Sequence, residues 1–139
     1  MRRYGINQQY KLTENSNQSL GKKGENLACA YLEQKGHKII FQNYRSGRSE
    51  LDIISVIDKT LVISEVKSFQ SIPLGAAEYR VNKRKQQQIL QGSYSFLAEN
   101  SNYEGYDVRI DVIIVNFSTY PAQVTHYEGA FYDNDSYFY

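Results

Sequence analysis

Cysteine, methionine, proline and tryptophan are scarce in this chain. Its 139 residues include one cysteine, one methionine, two prolines and no tryptophan. The single cysteine, Cys29, forms no disulfide within the chain, which suits a reducing cytoplasm. Its neighbours are leucine and alanine, so we expect a small buried packing residue rather than a nucleophile. His126 has no cysteine or other histidine near it in the sequence, so we expect it at the surface or at a sheet edge.

Long apolar runs are missing as well. No stretch approaches the about 20 apolar residues that a membrane-spanning helix needs. The opening Met-Arg-Arg is followed by polar residues without an apolar segment, so no signal peptide is expected. A hydrophobic fraction of 41% and a charged fraction of 22% describe an ordinary globular protein. We therefore expect a single cytoplasmic domain without a membrane partner.

Positive charge is concentrated toward the amino terminus, although the net charge is only +1. Through Arg48 there are nine lysines and arginines against three acids, and beyond it there are seven against twelve. Clustered cations suit a phosphate backbone if they share a face, but a solvated surface also explains them. The candidates for nucleic-acid contacts are Arg45, Arg48, Lys83, Arg84 and Lys85.

Arg109 and Asp111 have a different role in the prediction. They share a face of one predicted strand, so we expect them to form a structural ion pair.

The hydrophobic periods predict an α/β domain over residues 19–131. Its order is α-β-β-β-α-β with a possible extra edge strand, which is typical of a mixed sheet flanked by helices. Residues 1–18 and 132–139 show no sustained period, so we expect a mobile amino-terminal arm and a carboxyl-terminal tail. The predicted elements are a helix over 19–35, strands over 37–44, 50–57 and 60–67, a loop over 68–81, a helix from 82, a strand over 106–117 and a short strand over 123–127.

The stretch over residues 50–67 carries the clearest candidate site. Two β-branched runs meet at Asp58-Lys59, which indicates a hairpin of antiparallel strands. Asp52 lies within the apolar pattern of the first strand, and Glu65 and Lys67 lie within that of the second. Burying such charges is unfavourable unless a partner or metal compensates. If Asp52 and Glu65 converge they form a divalent-cation site beside an ammonium, whereas a half-solvated hairpin with Glu65 paired to Lys67 is the alternative.

Motifs along the chain carry a resemblance to a known family. They are Gly24-Glu25, Glu50-Leu51-Asp52-Ile53-Ile54, Glu65-Val66-Lys67, Lys85, Arg109-Ile110-Asp111 and Gly129-Ala130-Phe131. In order and spacing they resemble the YraN family, small bacterial proteins related to the PD-(D/E)XK nucleases and Holliday-junction resolvases. The resemblance implies a restriction-endonuclease-like sheet. Ser49 replaces a usual glycine, and Phe69 stands where an arginine commonly offers a phosphate contact.

The resemblance also implies a function, namely a Mg²⁺- or Mn²⁺-dependent endonuclease that hydrolyses phosphodiester bonds in structured or branched DNA. Lys67 would orient or deprotonate the attacking water, and Glu25 would complete the metal shell or hold a metal-bound water. Lys85 would contact the phosphate. Glu50 is expected to point to the face opposite Asp52 and therefore ranks lower. The residues assigned to the metal are Asp52, Glu65 and the carbonyl of Val66.

Two other functions stay open at this point. The first is a nucleic-acid-binding protein that keeps the nuclease fold without catalysis, and the second is an assembly protein that uses the fold to recognise another protein. Glu25 also has a simpler reading as a solvent-facing partner of nearby lysines. Because the net charge is low, a homodimer would supply a longer basic groove than one protomer.

Overall fold

The fold is seen in a computed structural model that describes residues 2–7, 19–71 and 81–132. The predicted tail beyond Tyr132 and most of the predicted loop over residues 68–81 lie outside the described residues. The elements are β1 (Arg2–Asn7), α1 (Leu20–Gln34), β2 (Lys38–Ser46), β3 (Ser49–Ile57), β4 (Thr60–Phe69), α2 (Lys83–Glu99), β5 (Asp107–Asn116) and β6 (Gln123–Phe131).

One mixed sheet of six strands forms the centre of the fold. Its strand order is β1-β6-β5-β4-β3-β2. The strands β2, β3 and β4 form an antiparallel meander, and β5 pairs parallel to β4. A parallel neighbour requires a crossover connection, which α2 provides. The predicted α/β class, a mixed sheet flanked by helices, is confirmed.

The far edge of the sheet differs from the sequence-based expectation. Arg2–Asn7, within the region expected to be a mobile arm, pairs antiparallel with β6; residues 8–18 lie outside the described residues. β6 is longer than the strand predicted over 123–127 and lies between β5 and β1 rather than at an edge. β1 has no clear apolar alternation in its sequence, so its pairing depends on backbone hydrogen bonds that periodicity does not reveal.

A helix covers each face of the sheet. The apolar side of α2 packs with Leu51 and Ile54 in one core cluster, and that of α1 packs with Ile53 in a second. Ser19 and Asn82, where the sequence predicts the two helices to begin, are suitable N-cap residues, and both act as caps: Ser19 Oγ accepts the Lys22 N–H at 3.2 Å, and Asn82 Oδ1 accepts the Lys85 N–H at 2.9 Å. Within the described part of the chain, neither helix is both long and apolar enough to cross a bilayer.

A buried polar network links α1 to β5 and β6. Arg109 donates to both carboxylate oxygens of Asp111 at 2.9 and 3.0 Å, which confirms the predicted ion pair. His126 Nε2 lies 2.7 Å from Asp111 Oδ2, and its Nδ1 lies 2.9 Å from the Tyr31 hydroxyl. His126 is fully buried, so its expected place at the surface or a sheet edge is wrong. Because β6 lies inside the sheet, its histidine faces α1 and must find polar partners there.

Candidate functional site

The candidate site lies where β3 and β4 separate. Their register runs from the hairpin turn to Ile53 opposite Ser64. Beyond that point the N–H of Val66 donates to Asp52 Oδ2 at 2.8 Å. Backbone N–H groups need a partner when water is excluded. The carboxylate of Asp52 therefore takes the place of a strand partner and is held by the backbone of β4.

β3 is irregular at Asp52. Leu51 and Ile54 are three positions apart, yet both contact the core cluster under α2, while Ile53 contacts the cluster under α1. Strict alternation cannot put residues three apart on one face. On the neighbouring β2, Asn43 has a φ of 55°, a left-handed conformation inside a strand. The strand pattern is therefore broken around Asp52.

Asp52 and Glu65 form an acid pair in which Glu65 is buried and Asp52 is half-buried. The negative charge of Asp52 acts on Glu65, and the Glu65 side chain is only 11% exposed. Burial and the neighbouring negative charge of Asp52 raise the pKa of Glu65 to about 8. Burial also raises the pKa of Asp52, although the Val66 N–H acts in the opposite direction. Two adjacent buried carboxylates favour a shared proton or a bound cation over double ionisation.

The donor set of this pair fits a hard divalent cation. Among the described residues, no three acidic, histidine or cysteine side chains converge on a single point. Mg²⁺ keeps several water ligands and is commonly bound through one or two carboxylates. The Asp52 and Glu65 oxygens, with the backbone of Val66 beside them in the same cleft, therefore suit Mg²⁺ or Mn²⁺ better than a closed four-ligand site.

The acid pair opens into a cleft of about 810 Å³. The first turns of α1 and α2 both contribute to its wall, so two helix amino termini face the same space. Helix amino termini favour anionic groups. The lining residues are Ser19, Gly21, Lys22, Glu25, Asn43, Arg45, Glu50, Asp52, Glu65, Val66, Lys67, Asn82 and Lys85.

Lys67 and Lys85, the two lysines that we predicted at the catalytic site, have different surroundings. Lys85 Nζ lies 3.5 Å from Glu65 Oε1, and 36% of its side chain is exposed. Lys67 lines the cleft but is exposed, with its Nζ 5.8 Å from the centre of the Phe69 ring. Phe69, which stands where the resembled family commonly has an arginine, lies close to the Lys67 ammonium. Lys85 is the lysine that the structure pairs with an acid of the site.

The remaining predicted cations are spread around the cleft. Arg45 lines it and pairs with Glu50 at 3.6 Å. Arg48, Lys83 and Arg84 are exposed and do not line the cleft. These three predicted contact residues therefore lie outside the cleft wall.

A second group of polar side chains lies beside the acid pair. The amide nitrogen of Asn43 lies 2.8 Å from Glu25 Oε1 and 3.3 Å from Glu50 Oε1 in the orientation that satisfies both acids. Burial and the charge of Asp52 raise the pKa of Glu25. The expectation that Glu50 points away from Asp52 is wrong, since both residues line the same cleft and the charge of Glu50 acts on Asp52. Glu50 is two positions from Asp52 in the same predicted strand, so its place beside Asp52 could have been predicted from the sequence. No signal in the sequence singled out Asn43.

Gly24 lets α1 pack close to β4, and this brings Glu25 to the cleft. A Cβ at this position would overlap the Oγ of Ser68 on β4. Only a residue without a side chain lets the helix approach the strand so closely. α1 thus approaches β4 closely at Gly24, and the next residue, Glu25, lines the cleft.

The mixed sheet with a helix on each face is consistent with the restriction-endonuclease-like fold that the sequence resemblance implies. The sequence profile of the Uncharacterised protein family UPF0102 matches residues 24–115. A UPF0102 protein of Natranaerobius thermophilus is 38% identical over 84% of this chain and 99% of its own length. One from Chlorobium limicola is 42% identical over 70% of this chain and 74% of its own. The chain belongs to the UPF0102 family, which confirms the predicted YraN-like resemblance.

Proposed function

We propose that this protein is a Mg²⁺- or Mn²⁺-dependent endonuclease that hydrolyses phosphodiester bonds in structured or branched DNA. The observation that carries the proposal is the buried acid pair Asp52 and Glu65 in a cleft that two helix amino termini and several cations share. Two like charges close together in a poorly solvated place destabilise the fold. A bound cation that serves the function would offset this repulsion and would explain why the two acids are adjacent. The surrounding donors and cations suit a phosphate next to that cation.

Each polar group of the cleft has a role in this proposal. Asp52, Glu65 and the carbonyl of Val66 hold the metal, which supplies charge neutralisation at the phosphate and a more acidic water when bound. Lys67, at the rim, donates to the attacking water and orients it. Lys85 contacts the phosphate. Glu25, held by the neighbouring amide, completes the polar shell around the acids.

The substrate contacts extend beyond the cleft. Arg45 and Arg48 lie around the β2–β3 turn, while Lys83 and Arg84 are exposed at the start of α2. Cations in such positions neutralise backbone phosphates without reading base identity. A homodimer would double this cationic surface, which suits a branched substrate larger than one cleft.

Cleavage of a labelled four-way DNA junction, with a linear duplex of the same sequence beside it, tests the proposal. In Mg²⁺ or Mn²⁺ we expect the wild type to cut the junction. We expect Asp52→Asn and Glu65→Gln to lower the rate at least about 100-fold, as loss of one stabilising group in a transition state does. Glu104→Gln, an exposed acid outside the cleft, is the matched control. Equal cutting by wild type and both acid variants would refute the proposal.

A non-catalytic nucleic-acid-binding protein is the second candidate. The observation that favours it is the Lys67 ammonium, which lies over Phe69 rather than at the acids. In this case the junction binds in EDTA with a steep salt dependence, no substrate is cut, and Asp52→Asn leaves the affinity unchanged. Reverse-charge changes at Lys83 and Arg84 would weaken binding under either function.

A further inference from the structure

Lys85 contacts the acid pair and also lines the cleft. Its backbone is fixed in the first turn of α2, where the Asn82 side chain accepts its N–H at 2.9 Å. Its side chain reaches Glu65 at 3.5 Å, and its charge lowers the pKa of both Asp52 and Glu65 against the effect of burial. A lysine combines a compact charge with a flexible four-carbon stem. The anchored backbone and the flexible stem let the ammonium exchange partners.

The other cations of the cleft do not have this arrangement. Arg45 pairs with Glu50, Lys67 lies over Phe69, and the charge of Lys22 acts on Glu25. A divalent cation held by Glu65 would therefore meet one nearby ammonium above all, that of Lys85. The two positive charges repel each other at such distances, because screening is weak in a partly buried site.

We propose that Lys85 is an exchangeable counter-ion that couples metal binding to phosphate binding in the cleft. This inference rests on the proposed metal site at Asp52 and Glu65. With the cleft free, the ammonium lies at Glu65, pairs with the one negative charge that the acid pair keeps when it shares a proton, and weakens metal binding. When a nucleic-acid phosphate enters, Lys85 turns to it and releases the carboxylate. Because binding free energies are linked, the metal must then strengthen nucleic-acid binding by the same factor.

The metal half of the proposal is tested by titrating Mn²⁺ alone into the full chain and following free Mn²⁺ by electron paramagnetic resonance. We expect Lys85→Met to bind Mn²⁺ about 10- to 100-fold more tightly than the wild type, the range of effects that groups around a metal site exert. Lys85→Gln should behave alike. Lys59→Met removes the same charge at the exposed β3–β4 turn and should change nothing. Asp52→Asn should abolish the binding.

The coupling half is tested with the affinity of a four-way DNA junction, measured by fluorescence anisotropy in EDTA and in saturating Ca²⁺. The ratio of the two affinities should fall in Lys85→Met by a factor similar to its gain in Mn²⁺ affinity. If Mn²⁺ binding depends on Asp52 but is equal or weaker in both Lys85 variants, the coupling is refuted and the metal site stands. If no Mn²⁺ binding depends on Asp52, the coupling and the proposed function both fail.

Discussion

Because of the acid pair, we expect the free energy of unfolding to fall as the pH rises. The Glu65→Gln variant tests this, since it removes the ionisable group. In the folded protein the pKa of Glu65 is raised from its ordinary value of 4.5 to about 8. Below about pH 4.5 the folded and unfolded chains both carry the proton. Between the two values the folded protein keeps the proton while the unfolded chain releases it. The free energy of unfolding therefore falls as the pH rises through this window and levels off above it.

The size of this fall follows from the shift. One pKa unit corresponds to about 1.4 kcal/mol, so Glu65 lowers the free energy of unfolding by roughly 3 to 5 kcal/mol between about pH 5 and pH 9. Its side chain is only 11% exposed, so solvent screens the effect little. Glutamine has nearly the same shape and never ionises. We expect Glu65→Gln to equal the wild type near pH 5 and to exceed it by several kcal/mol near pH 9.

Urea unfolding followed by circular dichroism in EDTA, at a series of pH values, measures this difference. Glu104→Gln controls for the loss of one exposed acid and should run parallel to the wild type. Added Mn²⁺ should stabilise the wild type at high pH and leave Glu65→Gln unchanged, since a ligand stabilises only the state that binds it. A difference between wild type and Glu65→Gln that stays constant from about pH 5 to pH 9 would refute the reasoning on the buried pair.

Three further variants test the surroundings of the site. Gly24→Ala places a methyl group against the Ser68 side chain and should cost about 1–3 kcal/mol in urea unfolding; unchanged stability would mean that α1 does not pack closely there. His126→Ala leaves Asp111 without one of its buried partners and should cost about 2–4 kcal/mol, whereas a loss below about 0.5 kcal/mol would contradict the buried network. Asn43→Gly keeps the left-handed backbone but loses the amide, so stability should change by less than about 1 kcal/mol while junction cleavage falls about tenfold; equal cleavage would exclude a role for the amide.

Local signals in the sequence were sufficient for much of the fold. The caps at Ser19 and Asn82 and the turn at Asp58-Lys59 depend on residues within a few positions of one another. These local features were predictable because short-range chemistry determines them. The alternation along the hairpin placed Asp52 and Glu65 inside apolar patterns, but it left open whether the two acids meet or Glu65 pairs with Lys67.

Contacts between segments that are far apart in the chain could not be predicted from local sequence patterns. β1 lacks an apolar pattern, so only its pairing with the far strand β6 defines it. His126 is buried because residues from three elements meet around it, among them Tyr31 and Asp111. Asn43 has its place at the site through a left-handed backbone that composition does not reveal. Periodicity describes which face a residue takes, but not which distant partner that face meets.

Asp52 shows why fold and site cannot be separated at this position. Its carboxylate accepts the Val66 N–H at 2.8 Å where the two strands part, and it is also one half of the acid pair. Replacement by alanine would remove the negative charge and leave a buried N–H without a partner, which itself costs about 1–3 kcal/mol. Asparagine keeps an oxygen for the N–H and removes only the charge. We therefore assign any activity that Asp52→Asn loses to the proposed metal site, and any further loss in Asp52→Ala to the opening of β3 from β4.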